Sequence, residues 1–377
     1  MVSNFCPHRG PLRNVLLLLF LAGLVSACGA SITSSSSPTP NSTQGIRGIF
    51  HEYALPPSQF VPFTITAGPD GNLWFTERMQ NQNGSVQAGK IARFTPTGTL
   101  SEFSLPSATP SATDIITGPD GNLWFTEGDK IARITPMGKI SEFPVPSATS
   151  ITTGSDGNLW FTEQSKIGRM TLTGKVSEFS LPFHQYPAGP SPKGGTAGSA
   201  QGEPLAITAG PDGNLWFTEI LQNGGSSIGR ITTAGKITEF PLSSANTLLS
   251  SITAGSDGNL WFTETGGHGE PSKIGVITPQ GKIREFILSP SIIPGGITRG
   301  PDGNLWFTEF QYDETGTTAG QIGRITTAGK ISDYPLPTAS NSPTSITFGA
   351  DHTLWFIEVE VTPTNPNGKN GKIGHLV

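Results

Sequence analysis

Seven glutamates recur in one setting. Glu77, Glu127, Glu163, Glu219, Glu264, Glu309 and Glu358 each close a run that begins Leu-Trp-Phe. Carboxylates repeated around a closed array could ring a divalent cation. A plainer chemistry competes with that one. Arg93, Arg133, Arg169, Arg230 and Arg324 recur in the following run of their repeats, so an ion pair across a hairpin is expected for each glutamate. Val276 and His375 take the arginine's place in two repeats, which makes Glu264 and Glu358 the more available ligands. Asp-Gly-Asn triplets also recur. They lack the further carboxylates and closing Glu of a calcium loop, and a tight turn accounts for them.

The elements that must hold these glutamates are set by the repeat. All seven tryptophans, Trp74, Trp124, Trp160, Trp216, Trp261, Trp306 and Trp355, sit in the same run. One tryptophan per repeat marks a repeated core position and counts the units. Four short segments surround each Trp. An Ile-Thr-Ala-Gly-like run comes first, then a Pro-Asp-Gly-Asn or Ser-Asp-Gly-Asn turn and Leu-Trp-Phe-Thr-Glu. Ile-Gly/Ala-Arg-Ile follows, then a Thr-x-x-Gly turn and Ile-x-Glu-Phe-x-Leu-Pro. Short runs rich in Ile, Thr, Phe and Trp, bounded by Gly, Asp and Pro, read as strands joined by tight turns. Four antiparallel strands per unit predict an all-β, seven-bladed β-propeller. Leu-Trp-Phe is apolar at consecutive positions, as suits a sheet covered on both faces. No window has a helical period, and Gly and Pro interrupt throughout.

The fourth-strand motif fixes how the ring closes. It occurs at Glu52, Glu102, Glu142, Glu178, Glu239, Glu285 and Asp333, so its first copy precedes the first Trp. The last unit stops after its third strand at Ile373–Val377. Phe50–Leu55 is therefore expected to complete the last blade, a three-plus-one closure that removes a free edge. The propeller spans residues 49–377.

The N-terminus predicts export. Arg9 and Arg13 precede an apolar run from Val15 to Val25, eleven residues long, too short to span a bilayer and laid out as a signal peptide over residues 1–27. It ends Val25-Ser26-Ala27-Cys28, which resembles the lipobox of bacterial lipoproteins and implies lipidation of Cys28. Residues 28–48, rich in Ser, Thr and Pro, read as a lipidated tether. The expected location is the extracytoplasmic face of the cell envelope, with the membrane reached only through the anchor. Cys6 leaves with the leader, so the body has no thiol for a disulfide or thiolate metal site. Loss of Arg9 and Arg13 leaves 21 basic against 28 acidic residues, a formal charge of −7, and no basic cluster. Nucleic acid is excluded as a partner on that balance. A repeat array of this length is one unit, expected as a monomer.

Insertions fall on one face. The turns after the first and third strands are short throughout. The connections after the second and fourth vary, including 78–89, 183–204, 265–272, 310–320 and 359–371. Variable loops on a rigid scaffold are the usual seat of binding residues.

Leu-Trp-Phe-Thr-Glu, Lys-Ile-Gly-Arg-Ile-Thr and Gly-Lys-Ile-x-Glu-Phe-x-Leu-Pro together resemble the repeat of the streptogramin B lyases (virginiamycin B lyases) over essentially all of 49–377. The resemblance implies a seven-bladed propeller that opens a cyclic depsipeptide by elimination, with Mg²⁺ and a histidine general base. That base lies in a Glu-Pro-His triplet, and a second metal-linked Glu follows the first after sixteen residues. Glu203-Pro204-Leu205, with Glu219 sixteen residues on, keeps both carboxylates and puts Leu205 in the base's place. The same position in the seven repeats holds Phe63, Thr113, Thr149, Leu205, Ser250, Gly295 and Thr344, none of them histidine. Leucine cannot accept a proton. His184 and His268, both in face loops, are the candidate replacements, although a loop histidine is more often solvated.

Two functions follow. The first is a binding propeller whose partner is a small molecule, a peptide or a cell-surface protein. The second is a divergent lyase using Mg²⁺ at Glu203 and Glu219 with a relocated base. A six-bladed lactonase-like ring is disfavoured by the count of seven. The lipobox carries a prediction of its own: Cys28→Ala releases the protein from the membrane fraction or leaves it unprocessed. Normal processing with unchanged fractionation of that variant would count against the anchor.

Overall fold

The computed structural model describes residues 48–80, 86–106, 111–186, 198–221, 224–245, 247–267, 269–312, 318–338, 341–362 and 365–377. The leader, the tether, Cys28 and His268 lie outside the described residues. Seven four-stranded antiparallel sheets stand in a ring, as the motif count predicts. Blade one is Phe60–Ala67, Leu73–Gln80, Val86–Phe94 and Leu100–Ser104, paired in that order. Blade four is Glu203–Ala209, Leu215–Ile220, Gly225–Ile231 and Ile237–Ala245.

The core lies between blades, not within them. Trp74, Ile91 and Leu105 of blade one pack against Ile115, Leu123, Phe125 and Ile134 of blade two, and seven such clusters close the circle. Each blade thus has two buried faces, and Leu159–Glu163 is buried at every position. Burying one such side chain stabilises by roughly 1.5–3 kcal/mol. The consecutive apolar pattern of the sequence is this two-sided burial.

The turn before each Trp strand does more than reverse the chain. Asp120 accepts the indole N–H of Trp124 at 2.9 Å, and the same bond joins Asp to Trp in all seven blades. The glycine that opens the turn is fixed by close approach. A Cβ on Gly118 would lie 2.2 Å from Trp124 Cδ1. Gly121 in the same turn has φ +72°, the left-handed backbone the Asp-Gly pair forecast. His352 fills that position in blade seven at φ 64°. On the indole's face stacks the aromatic of the fourth strand, as Phe143 does on Trp124 at 5.4 Å.

Hydroxyls link neighbouring blades around the axis. Thr64 Oγ1 donates to the Thr113 carbonyl at 3.0 Å, Thr113 Oγ1 to the Thr149 carbonyl at 3.1 Å and Thr162 Oγ1 to the Leu205 carbonyl at 2.9 Å. Innermost strands are therefore joined side to side by polar contacts, not only by burial.

Closure follows the expected pairing. Blade seven is Asn341–Phe348, Leu354–Thr362 and Asn365–Leu376, completed by Phe50–Ala54. Phe50 registers with Leu376 and Ala54 with Lys372. Lys372 Nζ meets Glu52 Oε2 at 2.5 Å, and Tyr53 stacks on Trp355 at 6.0 Å. Deleting residues 49–56 exposes that edge and the Trp355 face. The truncated chain is expected to lose more than about 4 kcal/mol of stability as one cooperative loss. A thermal or denaturant melt matching the intact chain would sink the closure.

Candidate functional site

Register corrects the first expectation about the glutamates. The arginines do not face them. Trp124 registers with Arg133 and Glu127 with Lys130, so the arginine sits at the turn end of the strand. Its guanidinium lies 5.3 Å over the Trp124 ring and 3.5 Å from Asp120 Oδ2. Three residues separate Trp from Glu, which places the glutamate at the opposite end of the hairpin. There a lysine on strand three reaches the glutamate of strand four. Lys90 meets Glu102 and Lys130 meets Glu142, both at 3.1 Å. Glu264 and Glu358 are accordingly not the unpartnered pair. Lys273 Nζ lies 3.7 Å from Glu264, and Asn341 Nδ2 donates to Glu358 at 2.7 Å.

Two blades break this Glu-Lys-Glu arrangement. In blade six Gln321 replaces lysine and donates to Glu309 at 2.9 Å. In blade four Ser227 replaces it and donates to Glu219 Oε2 at 2.6 Å. An imidazole enters blade four from outside. The segment after blade three contains a hairpin, Phe183–Tyr186 paired with Gly198–Gln201, where a plain loop was expected. Gln201 Nε2 ties it to the Leu181 carbonyl at 2.6 Å. This hairpin sets His184 Nε2 3.8 Å from Glu219 Oε1 and 3.4 Å from Glu239 Oε2. Gly202 lies against Glu219, since a Cβ there would meet Oε1 at 1.9 Å. His184 was foreseeable as a candidate. Glu239 was seen only as a strand marker, although the loss of the repeated lysine at Ser227 was a legible signal.

Glu203 does not join that cluster. Pro204 registers with Glu219, while Glu203 registers with Ile220. Side chains alternate along a strand, so Glu203 and Glu219 point to opposite faces of the blade. The register alone therefore does not bring the two carboxylates together. Glu203 is exposed and lines a cleft of ≈ 250 Å³ with Ser111, Thr113, Thr149, Gln164 and Pro204. Thr113 and Thr149 are two of the positions at which the lyase resemblance puts the base. Their hydroxyls meet Thr126 Oγ1 and Thr162 Oγ1 at 2.6 and 2.7 Å, so they are tied into the scaffold. In blade one the same position is Phe63, with the Arg78 guanidinium 3.3 Å over its ring.

Burial governs the electrostatics. It raises Glu77 to about 8, with the charge of Glu102 adding, and Glu309 to about 8, with Asp333 adding. Burial also raises Glu219 to about 7, against the Ser227 hydrogen bond and with the charge of Glu239. Glu163 and Glu358 likewise rise to about 7. The turn aspartates go the other way. Burial opposes ionisation of Asp120, but hydrogen bonds from Asn122 and Trp124 outweigh it and hold its carboxyl below the ordinary range.

Comparison with known proteins gives a family. The model of the virginiamycin B lyase family matches residues 42–189 and 195–373. A streptogramin B lyase structure is 34% identical, covers 87% of this chain and 98% of its own, and superposes with a TM-score of 0.67. A catalytically inactive histidine-to-alanine virginiamycin B lyase from Staphylococcus aureus, with quinupristin, is 33% identical over 87% of this chain and 99% of its own, with a TM-score of 0.68. The Pan2 WD40 domain of Neurospora crassa, 11% identical over 84% of this chain and 89% of its own, shares the fold alone at a TM-score of 0.57. No curated protein matches.

The raised carboxylates set a pH dependence. A carboxyl whose folded pKa exceeds its ordinary 4.5 adds stability that is complete below 4.5 and is lost as pH climbs through 7 to 8. The turn aspartates add stability above their ordinary 3.8 that is lost as pH falls through their lowered values. The thermal midpoint is thus expected to be higher near pH 5 than near pH 8, and Glu77→Gln should flatten part of the fall. A midpoint that rises steadily from about pH 5 to 8 would contradict the assignment.

Proposed function

This chain belongs to the virginiamycin B lyase family, and on that premise we propose that it is a ligand-binding propeller rather than an efficient streptogramin B lyase. The observation that carries the reading is the base position. All seven candidates lack an imidazole, and Thr113 and Thr149 are committed to hydrogen bonds within the scaffold. General-base catalysis contributes about 10²–10⁴-fold, so its loss leaves little turnover. The cleft itself suits recognition. Glu203, Gln164, Ser111 and the carbonyls around them offer one charge and several acceptors, a fit for an amine or a run of peptide amides. Residues 1–28 support a place outside the cytoplasm, held at the envelope by Cys28.

One observation favours the lyase as a second reading. His184 brings an imidazole back within 3.8 Å of a strand-end carboxylate. Yet its Nε2 points between Glu219 and Glu239, and the cleft is lined by other residues. A base facing two carboxylates inside the protein is poorly placed to take a proton from a substrate in the cleft.

Assaying Mg²⁺-dependent linearisation of a streptogramin B separates the two. Turnover is expected to lie about 10²–10⁴-fold below an authentic lyase measured alongside. Leu205→His is expected to raise any residual rate. Efficient turnover by the unmodified protein would overturn the binding reading, and His184→Ala and His268→Ala would then show which imidazole serves.

A further inference from the structure

The cluster in blade four is built differently from its six counterparts. Elsewhere the strand-three position opposite the buried glutamate carries lysine or glutamine, as Lys90 does opposite Glu77 and Gln321 opposite Glu309. In blade four a serine stands there, and the space is entered by one imidazole nitrogen. Three potential donors, His184 Nε2, one Glu219 oxygen and one Glu239 oxygen, lie within 4.8 Å of one another.

The imidazole distinguishes this group, since Glu77, Glu163, Glu309 and Glu358 also carry a buried oxygen without a hydrogen bond among the described residues, but none is met by a histidine. Glu219 is fully buried, and among the described residues its Oε1 has no hydrogen-bond partner. His184 Nε2 and Glu239 Oε1 are buried and likewise unbonded. His184 Nε2 and Glu239 Oε2 are in contact at 3.4 Å, longer than an ordinary hydrogen bond. Buried donors and acceptors left without full hydrogen bonding are unfavourable, so a shared partner would complete the contacts these three side chains make with one another. Gly202 keeps the space beside Glu219 Oε1 free of a side chain. The His184 side chain retains 23% exposure, which gives a route from solvent.

We propose that His184, Glu219 and Glu239 bind a divalent transition metal of the zinc type. An imidazole with two carboxylates is a donor set for Zn²⁺ and its neighbours, whereas Mg²⁺ takes an all-oxygen octahedral shell. Donors around one tetrahedral zinc at about 2.1 Å lie about 3.4 Å apart, close to the observed 3.4 and 3.8 Å, and the third pair, within 4.8 Å, would draw in on binding. Three protein donors leave a coordination position open. The competing role for His184 is that of a substitute lysine, a protonated counter-ion between two carboxylates. The site is independent of the binding reading proposed for the cleft, because Glu203 and the cleft threonines take no part in it.

The test uses the full-length protein without added histidines, stripped with chelator and titrated with Zn²⁺ by calorimetry. Metal content after dialysis is measured in parallel. One Zn²⁺ per chain is expected, with Mg²⁺ in roughly 100-fold excess failing to displace it. Co²⁺ in its place should give a visible absorption band. His184→Ala should weaken zinc binding at least about 100-fold, since loss of an outer-shell partner alone costs 10–100-fold. Ser227→Lys restores the residue of the other blades, so it should fold and melt normally while losing the metal. That second variant remains informative if the first fails to fold. Absence of zinc binding by the unmodified chain overturns the proposal. So does full zinc affinity in either folded variant, which would leave His184 as a counter-ion only.

Discussion

A buried indole carries one N–H that must be bonded, and this molecule buries seven of them. Each is within 1% of complete burial, and each gives its N–H to an aspartate four residues earlier. That single requirement shapes the local chain. The aspartate must sit in a tight turn to reach back, the turn needs a left-handed residue, and the residue opening it can carry no Cβ because the indole edge occupies the space. Above the ring the arginine of strand three closes the arrangement, meeting the same aspartate from the other side, as Arg324 Nε does with Asp302 at 2.7 Å. Blades five and seven show that the position is tolerant, with Val276 leaving a small cleft beside Asp257 and Trp261. His375 stacks on Trp355 at 4.0 Å, and burial lowers its pKa to about 4.

The fold was legible because it is written seven times. A strand of five residues read once is ambiguous. Seven copies bounded by the same turns are not, and the odd fourth-strand copy at Glu52 even gave the seam. The partners of the glutamates were less legible. Pairing them with the arginines treated two residues of adjacent strands as opposite when the register sets them three residues apart. Registers in a hairpin depend on turn length, and the lysine that truly lies opposite was present in the sequence at Lys90, Lys130 and Lys166. The meeting of His184 with Glu219 and Glu239 could not be read at all. It depends on a hairpin between blades whose register is set by its own folding, over a sequence span with no repeat to compare.

Repetition also explains why blade four could change. Each blade touches only its two neighbours, so the polar end of one can lose its lysine without disturbing the other six. Burial keeps the penalty local. Burial raises the pKa of Glu219 to about 7, no further than that of Glu77, which keeps its lysine and rises to about 8. The interblade cores, which carry most of the buried apolar area, are untouched by such exchanges.

The seam between Phe50–Ala54 and Asn365–Leu376 has a consequence in time. Its two strands are the first and last of the ring, and Lys372 and Glu52 are separated by 320 positions. A chain made from its N-terminus presents the closing strand early, with no sheet to receive it until the strand Asn365–Leu376 has been made. The first six blades can dock onto one another as they emerge, whereas the strand Phe50–Ala54 must wait for Asn365–Leu376. Closure is thus the longest-range pairing of the ring, the one with the greatest loop-closure cost.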